Sequence, residues 1–171
     1  MTCTIAYTSP FIPPEWIAAH GLLPQRLILD RATAPAGAGV CPFASALADH
    51  ICTSPRDTAF LLTTTCDQMR RIAEHLSADA SRIFSFNVPA TWQSASSMEL
   101  YIAELHRLSR FLCRLGGSSP APAHLAAIMK EHDARRHPSR IPSSANSNPR
   151  IPLALVGGPL RQQDHWLLDC I

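Results

Sequence analysis

Two cysteines carry the clearest chemical signal in this chain. Cys41 closes the small-residue approach Gly37-Ala38-Gly39-Val40, and Cys66 follows the apolar and threonine run Ala59-Phe60-Leu61-Leu62-Thr63-Thr64-Thr65. Each stands at the mouth of a segment with helical character, and neither falls inside a periodic apolar run as a core residue would. A sulfur just before the first turn of a helix meets free backbone N–H groups and the positive end of the macrodipole. Both favour a thiolate and any anionic group that the thiolate holds. Ligation of a metal, an iron-sulfur cluster above all, is the chemistry this placement suits. The glycines before Cys41 let backbone approach a bulky ligand, and Pro42 removes an N–H that would otherwise need a partner. The separation of 25 residues matches no compact motif of the Cys-x-x-Cys kind. On spacing alone, two half-buried structural thiols or a zinc-stabilised domain fit as well.

The other candidate groups are weaker. Cys3, Cys52 and Cys113 sit where small packing residues are expected, and the eight histidines show no metal-ligand spacing and read as surface or capping residues. No Gly-x-Ser-x-Gly, P-loop or Gly-x-Gly-x-x-Gly occurs, so the common hydrolase, NTPase and dinucleotide signatures are missing. Gly157-Gly158-Pro159 reads as a plain turn.

The elements that must position the two cysteines alternate in type. Thr4 to Thr8 is strand-like, Pro13-Pro14-Glu15 opens a helix with proline and acid in its first turn, and Gly21 closes it. A second strand spans Leu22 to Leu29. The loop from Asp30 delivers Cys41, and a helix follows over Phe43 to Ile51. Thr58 to Leu62 reads as a buried strand, the threonines at 63 to 65 as caps, and Cys66 to Leu76 as a helix. Ile83 to Val88 repeats the strand pattern. Met98, Tyr101, Leu105, Leu108, Leu112 and Leu115 then recur at spacings of three and four, a long amphipathic helix stopped by Gly116-Gly117. Its polar side, with Glu99, Glu104, His106, Arg107, Arg110 and Arg114, is expected to face solvent. A further helix runs from Pro122 to Arg136. Residues 137–148 have the composition of a linker, and 149–171 read as the incomplete opening of a second α/β unit. Short strands alternating with helices predict an α/β fold, a Rossmann-like parallel sheet with helices on both faces, with residues 1–136 as its N-terminal domain. Loops leaving the strands of such a sheet gather at one edge, where ligands collect.

Composition bounds the rest. A chain of 171 residues with 46% hydrophobic content can bury one ordinary core. Its net charge of +2 and dispersed basic residues, fourteen arginines against the single Lys130, argue against a nucleic-acid partner. The N-terminus has no signal-peptide pattern and no window approaches ~18 uninterrupted apolar residues, so a cytoplasmic protein with no membrane partner is expected. Six cysteines in a reducing compartment read as thiols rather than as a disulfide framework.

Several segments in register resemble the 2-hydroxyacyl-CoA dehydratase D-component family, which includes benzoyl-CoA reductase subunits. They are Pro14-Glu15-Trp16-Ile17-Ala18-Ala19-His20-Gly21-Leu22-Leu23-Pro24, Cys41-Pro42-Phe43, Thr65-Cys66-Asp67-Gln68-Met69-Arg70-Arg71, Asn87-Val88-Pro89, Glu104-Leu105-x-Arg107-Leu108 and Pro149-Arg150-Ile151. The resemblance implies two Rossmann-like domains with a 4Fe-4S cluster held between them by three cysteines, of which the first two match Cys41 and Cys66. It implies an acyl-CoA substrate, a second dehydratase subunit, and a separate ATP-dependent iron-sulfur activator protein that supplies one electron. The electron then reduces the thioester carbonyl to a ketyl radical, and hydroxide leaves the 2-hydroxyacyl group. Family members run to roughly twice this length and carry the third cysteine in the second domain, so a shortened chain, inactive alone, is expected. Cys170 aligns with the helix that precedes that third ligand rather than with the ligand itself. Glu15 matches a position near the cleft, where helix stabilisation is the simpler role. The contrasting expectation is a non-catalytic assembly module of the same family without a cluster.

Overall fold

Strands and helices alternate along the chain because apolar residues recur at period two in short runs and at a period near 3.6 between them. The structure, a computed structural model, describes residues 3–30, 39–76, 81–136 and 160–166. Four strands, β1 (Thr4–Tyr7), β2 (Leu23–Arg26), β3 (Thr58–Thr63) and β4 (Ile83–Phe86), form one sheet in the order β2-β1-β3-β4. All three pairings are parallel, with Thr4 opposite Leu23 and Thr58, and Phe60 opposite Ile83. Five α-helices accompany them among the described residues: α1 (Pro14–Ala19), α2 (Pro42–Thr53), α3 (Asp67–His75), α4 (Ala95–Arg114) and α5 (Pro122–Arg136).

The pleat divides the strand residues between two cores. Ile5, Tyr7, Ala59, Leu61, Phe84 and Phe86 point to one face, where α1 supplies Ile17 and α4 supplies Leu108, Phe111 and Leu112. Ala6, Phe60 and Leu62 point to the other, against Leu47 and Ile51 of α2 and Met69 and Ile72 of α3. Each fully buried side chain of this size stabilises the fold by roughly 1.5–3 kcal/mol. The sheet is therefore covered on both sides, as the near-continuous apolar run of β3 requires. Pro24, which has no N–H to give to a ladder, lies in β2 at the sheet edge.

Strand order fixes where a ligand can sit. The chain steps from β1 outward to β2 through α1, then returns across β1 to β3 through α2 on the opposite face, and continues through α3 to β4. The direction of winding reverses between β1 and β3. Crossovers of one hand force the helices onto opposite faces there, so the loops leaving β1 and β3 part and open a crevice at the carboxyl edge.

Helix ends follow local chemistry. Helix α1 begins at Pro14 with Glu15 in its first turn and ends at Gly21, whose φ of +79° only glycine adopts readily. Helix α4 ends in the same way, with Gly116 N–H donating to Cys113 O and Gly117 N–H to Leu112 O, at 3.1 and 3.0 Å. Helix α5 packs along α1 and buries none of its side chains fully.

Several expectations need correction. Glu104 of α4 is 4% exposed and does not face solvent; it reaches back to the end of β4 together with Arg107. Glu104 lies four residues before Leu108 and eight before Leu112, on the buried side of α4, so assigning every charged residue of the helix to its polar face misplaces it. His20 sits at the C-cap of α1 yet is 1% exposed, with Nδ1 within 2.7 Å of Trp16 O, because Ser118 and Gly117 close over this corner. The threonines at 63 to 65 do not cap α3: Cys66 holds the N-cap position, the Thr64 hydroxyl accepts Val88 N–H, and Thr63 bonds Thr65. Cys52 and Cys113 are exposed rather than packed; Cys3 lies against the α1/α4 core. The second strand stops at Arg26 instead of Leu29, whose side chain is buried in the α2/α3 core. The linker 137–148, Cys170 and most of 149–171 lie outside the described residues. Of that last segment, Gln162–Asp164 forms one 3-10 turn, and Gln162 N–H donates to Leu29 O at 2.8 Å.

Candidate functional site

The crevice at the switch point is a cavity of about 620 Å³ walled by the loops after β1 and β3 and by the N-termini of α2 and α3. Cys41 and Cys66 both line it. Sequence spacing separates them, and the sheet reunites them, since α2 and α3 cover the same face and start at the same edge.

The two sulfurs are held differently. Cys41 is the N-cap of α2: its backbone is extended, its carbonyl accepts Ser45 N–H at 3.0 Å, and its Sγ accepts Ala44 N–H at 3.3 Å. That N–H···S contact fixes the direction of the sulfur at the start of the helix. Cys66 is the N-cap of α3, but its side chain makes no capping bond and is exposed. Its backbone is nevertheless fixed: Cys66 O accepts Met69 N–H at 3.1 Å, and Arg70 ties the preceding Thr64 O to Asp67. One thiol is thus committed to a helix cap and the other is free to turn toward a ligand.

The rest of the wall sets the medium. Pro10, Phe11, Phe43 and Met69 make much of it apolar, and Arg26 at the end of β2 is the charged side chain among the described residues that line it. An anionic group in this cavity would meet one guanidinium and the amide ends of two helices. Among the described residues no three His, Cys, Asp or Glu side chains come together as a metal-binding group. Two thiols on one cavity wall are donors of the kind that hold iron, and among the described residues they make up part of a ligand set and not a complete one.

A second cavity of about 450 Å³ adjoins the first, and Pro10, Phe11 and Arg26 line both. Glu15 lies here, paired with Arg136 from the end of α5, beside Tyr7, Trp92 and Tyr101. Burial pushes both tyrosine hydroxyls above the ordinary phenol range; for Tyr7, the nearby Arg26 opposes that more weakly. Both stay protonated near neutrality, and the Tyr101 hydroxyl donates to Phe11 O at 3.4 Å. Trp92 stacks on Phe11 with centroids 5.7 Å apart. Glu15 thus combines a first-turn helix position with a cross-chain ion pair.

Sequence reasoning missed three contributors. Gln68 bonds the Cys41 loop, Arg26 enters both cavities, and Glu104 with Arg107 fixes the loop after β4. Gln68, Glu104 and Arg107 all stand in segments that carry the family resemblance, without a role read for them there, and Arg26 left no trace.

The parallel sheet, wound both ways from β1 and covered by helices on both faces, defines a Rossmann-like α/β protein with a crevice between its strand-end loops. The chain belongs to the 2-hydroxyglutaryl-CoA dehydratase D-component family, whose model matches residues 10–153. No curated protein matches it. Among the described residues no helix is long and apolar enough to cross a membrane.

Proposed function

We propose that the chain is the iron-sulfur redox component of a 2-hydroxyacyl-CoA dehydratase or a benzoyl-CoA reductase-type system. In this reading Cys41 and Cys66 are two thiolate ligands of a 4Fe-4S cluster, and a third thiolate comes from outside the described residues. The observation that carries it is the meeting of these two cysteines, from two different helix N-termini, on one cavity wall at the switch point. When bound, the cluster would supply one-electron transfer toward the acyl-CoA thioester. The chain's own residues prepare the place: Ala44 N–H holds the Cys41 sulfur in direction, Arg26 lends positive potential, and Phe11, Phe43 and Met69 give the cavity an apolar wall. The partners in this reading are a second dehydratase subunit or a further part of the same protein, an ATP-dependent activator, and the acyl-CoA.

Anaerobic purification with the companion subunit, followed by iron and acid-labile sulfide analysis, tests this. Wild type is expected to carry both elements with visible charge-transfer absorption, and Cys41→Ser and Cys66→Ser to lose most of each. A protein that binds no iron with its companion present is instead an assembly module of the family, and one that binds colourless zinc is a structural domain. Either result would overturn the redox reading.

A further inference from the structure

Gln68 joins the two cysteine-bearing helix starts. It stands in the first turn of α3, two residues after Cys66, and its side chain reaches across to the loop before α2. There Oε1 accepts Cys41 N–H and Nε2 donates to Gly39 O, both at 3.3 Å. We propose that Gln68 is a positioning residue that sets the separation of Cys41 and Cys66 and so presents both sulfurs to one ligand. This rests on the reading of the two cysteines as joint ligands.

The chemistry of the residue is selective. The Gly39 C=O and the Cys41 N–H, two positions apart, ask for one donor and one acceptor side by side, and a primary amide supplies that pair. A carboxylate lacks the donor, an ammonium lacks the acceptor, and a thioether of the same length offers neither strongly. Gly39 has a φ of +83°, a left-handed conformation that shapes the loop as it approaches Cys41, and a Cβ there would be strained although nothing lies within 4 Å of it. With Gln68 in place, Cys41 is restrained at its N–H, its C=O and its Sγ. Without it, the N–H restraint is lost, and what joins the described part of the loop to α3 is the general packing of α2 on α3. Hydrogen bonds that hold a ligating residue from behind fix the direction of the ligand rather than the stability of the fold.

The test measures bridging of the two thiols in the cluster-free protein. Dibromobimane alkylates one thiol and then a second within reach, and the bridged product is fluorescent and can be mapped by mass spectrometry. Cys3, Cys52, Cys113 and Cys170 are replaced by serine so that only the pair reports. Wild type in this background is expected to give a Cys41–Cys66 bridge. Gln68→Met is expected to form it about tenfold more slowly, as the loss of two neutral hydrogen bonds implies, and Gln68→Glu at an intermediate rate. Single alkylation of Cys66 by monobromobimane should change less than about twofold, which a general loosening of the fold would not permit. If Gln68→Met and Gln68→Glu bridge as fast as wild type, Gln68 does not position the pair, while the joint-ligand reading stands. If wild type labels at each cysteine singly and never bridges, the joint-ligand reading fails and the role of Gln68 with it. Gln68→Glu, at a half-buried polar position, keeps the test decisive should Gln68→Met fold poorly.

Discussion

Glu104 grips Asn87 twice, accepting its backbone N–H at 2.9 Å and its side-chain amide at 3.1 Å. The same carboxylate takes Arg107 Nη1 at 2.8 Å, while Arg107 Nη2 donates to Ser85 O and its guanidinium lies over the Phe84 ring. Two sequence segments seventeen residues apart, Asn87-Val88-Pro89 and Glu104-Leu105-x-Arg107, are thus the two halves of one clamp. It holds the loop leaving β4 against α4, and Val88 N–H in turn bonds the Thr64 hydroxyl just before Cys66.

Because that carboxylate is buried, Glu104→Ala is expected to lower the free energy of unfolding by roughly 2–4 kcal/mol, allowing for the partial exposure of Arg107. Glu104→Gln, which keeps an acceptor for Asn87 N–H, should cost about 1 kcal/mol. Urea denaturation of the three proteins checks both values. Equal stability of Glu104→Ala and wild type would show that the clamp contributes nothing.

The two cysteines should separate in their structural effects. Serine at position 41 can still accept Ala44 N–H and is a favoured N-cap, so Cys41→Ser should change stability by less than about 1 kcal/mol in either direction. Cys66 makes no capping bond, and Cys66→Ser should be neutral or slightly stabilising. Thermal unfolding of the cluster-free proteins is the measurement. Loss of iron binding in both variants at unchanged stability assigns the effect to ligation rather than to folding.

Alkaline pH should destabilise the wall of the second cavity. Burial raises Tyr7 and Tyr101 above their ordinary value of 10.0, so the folded state favours the neutral phenols. Their contribution is complete below the ordinary value and is lost as pH rises through the raised one. Unfolding free energy should therefore fall from about pH 10 upward. The Tyr7→Phe, Tyr101→Phe double variant should show a shallower fall over the same range in urea titrations. An identical slope would mean that other groups dominate the alkaline transition.

Gly117 lies where α4 meets the end of α1. A Cβ there would stand 3.0 Å from His20 O and from Leu112 O and 3.2 Å from a Leu22 methyl. Two of these neighbours are backbone and cannot step aside, so Gly117→Ala should destabilise by roughly 1–3 kcal/mol. Gly116, with φ of +95° and open space around it, would suffer from strain alone. Thermal denaturation of the two alanine variants compares crowding with backbone strain.

The sequence revealed the alternation of elements because each strand and helix has its own apolar period and most ends carry proline or glycine. The Schellman endings at Gly21 and at Gly116-Gly117 are local and were therefore readable. Cys41 and Cys66 were legible as helix-leading thiols, since their surroundings lie within a few residues. Their shared cavity needed the strand order, which depends on which strands pair and which no local pattern encodes. Glu104 and Gln68 were hidden for a related reason: each acts on backbone atoms seventeen or more residues away, and a half-buried clamp has the same composition as a solvated face. His20 looked like a polar helix end because nothing nearby in sequence shows Ser118 closing over it.

Site-resolved alkylation before and after anaerobic loading with iron and sulfide, in the presence of the companion subunit, tests the account most directly. Cys52, Cys66 and Cys113 are all exposed in the chain itself, so all three should label readily before loading. After loading we expect Cys66 and Cys41 to be protected together while Cys52 and Cys113 react as before. Unchanged labelling of Cys66 in protein that has taken up iron and sulfide would contradict the claim that these two sulfurs share one ligand.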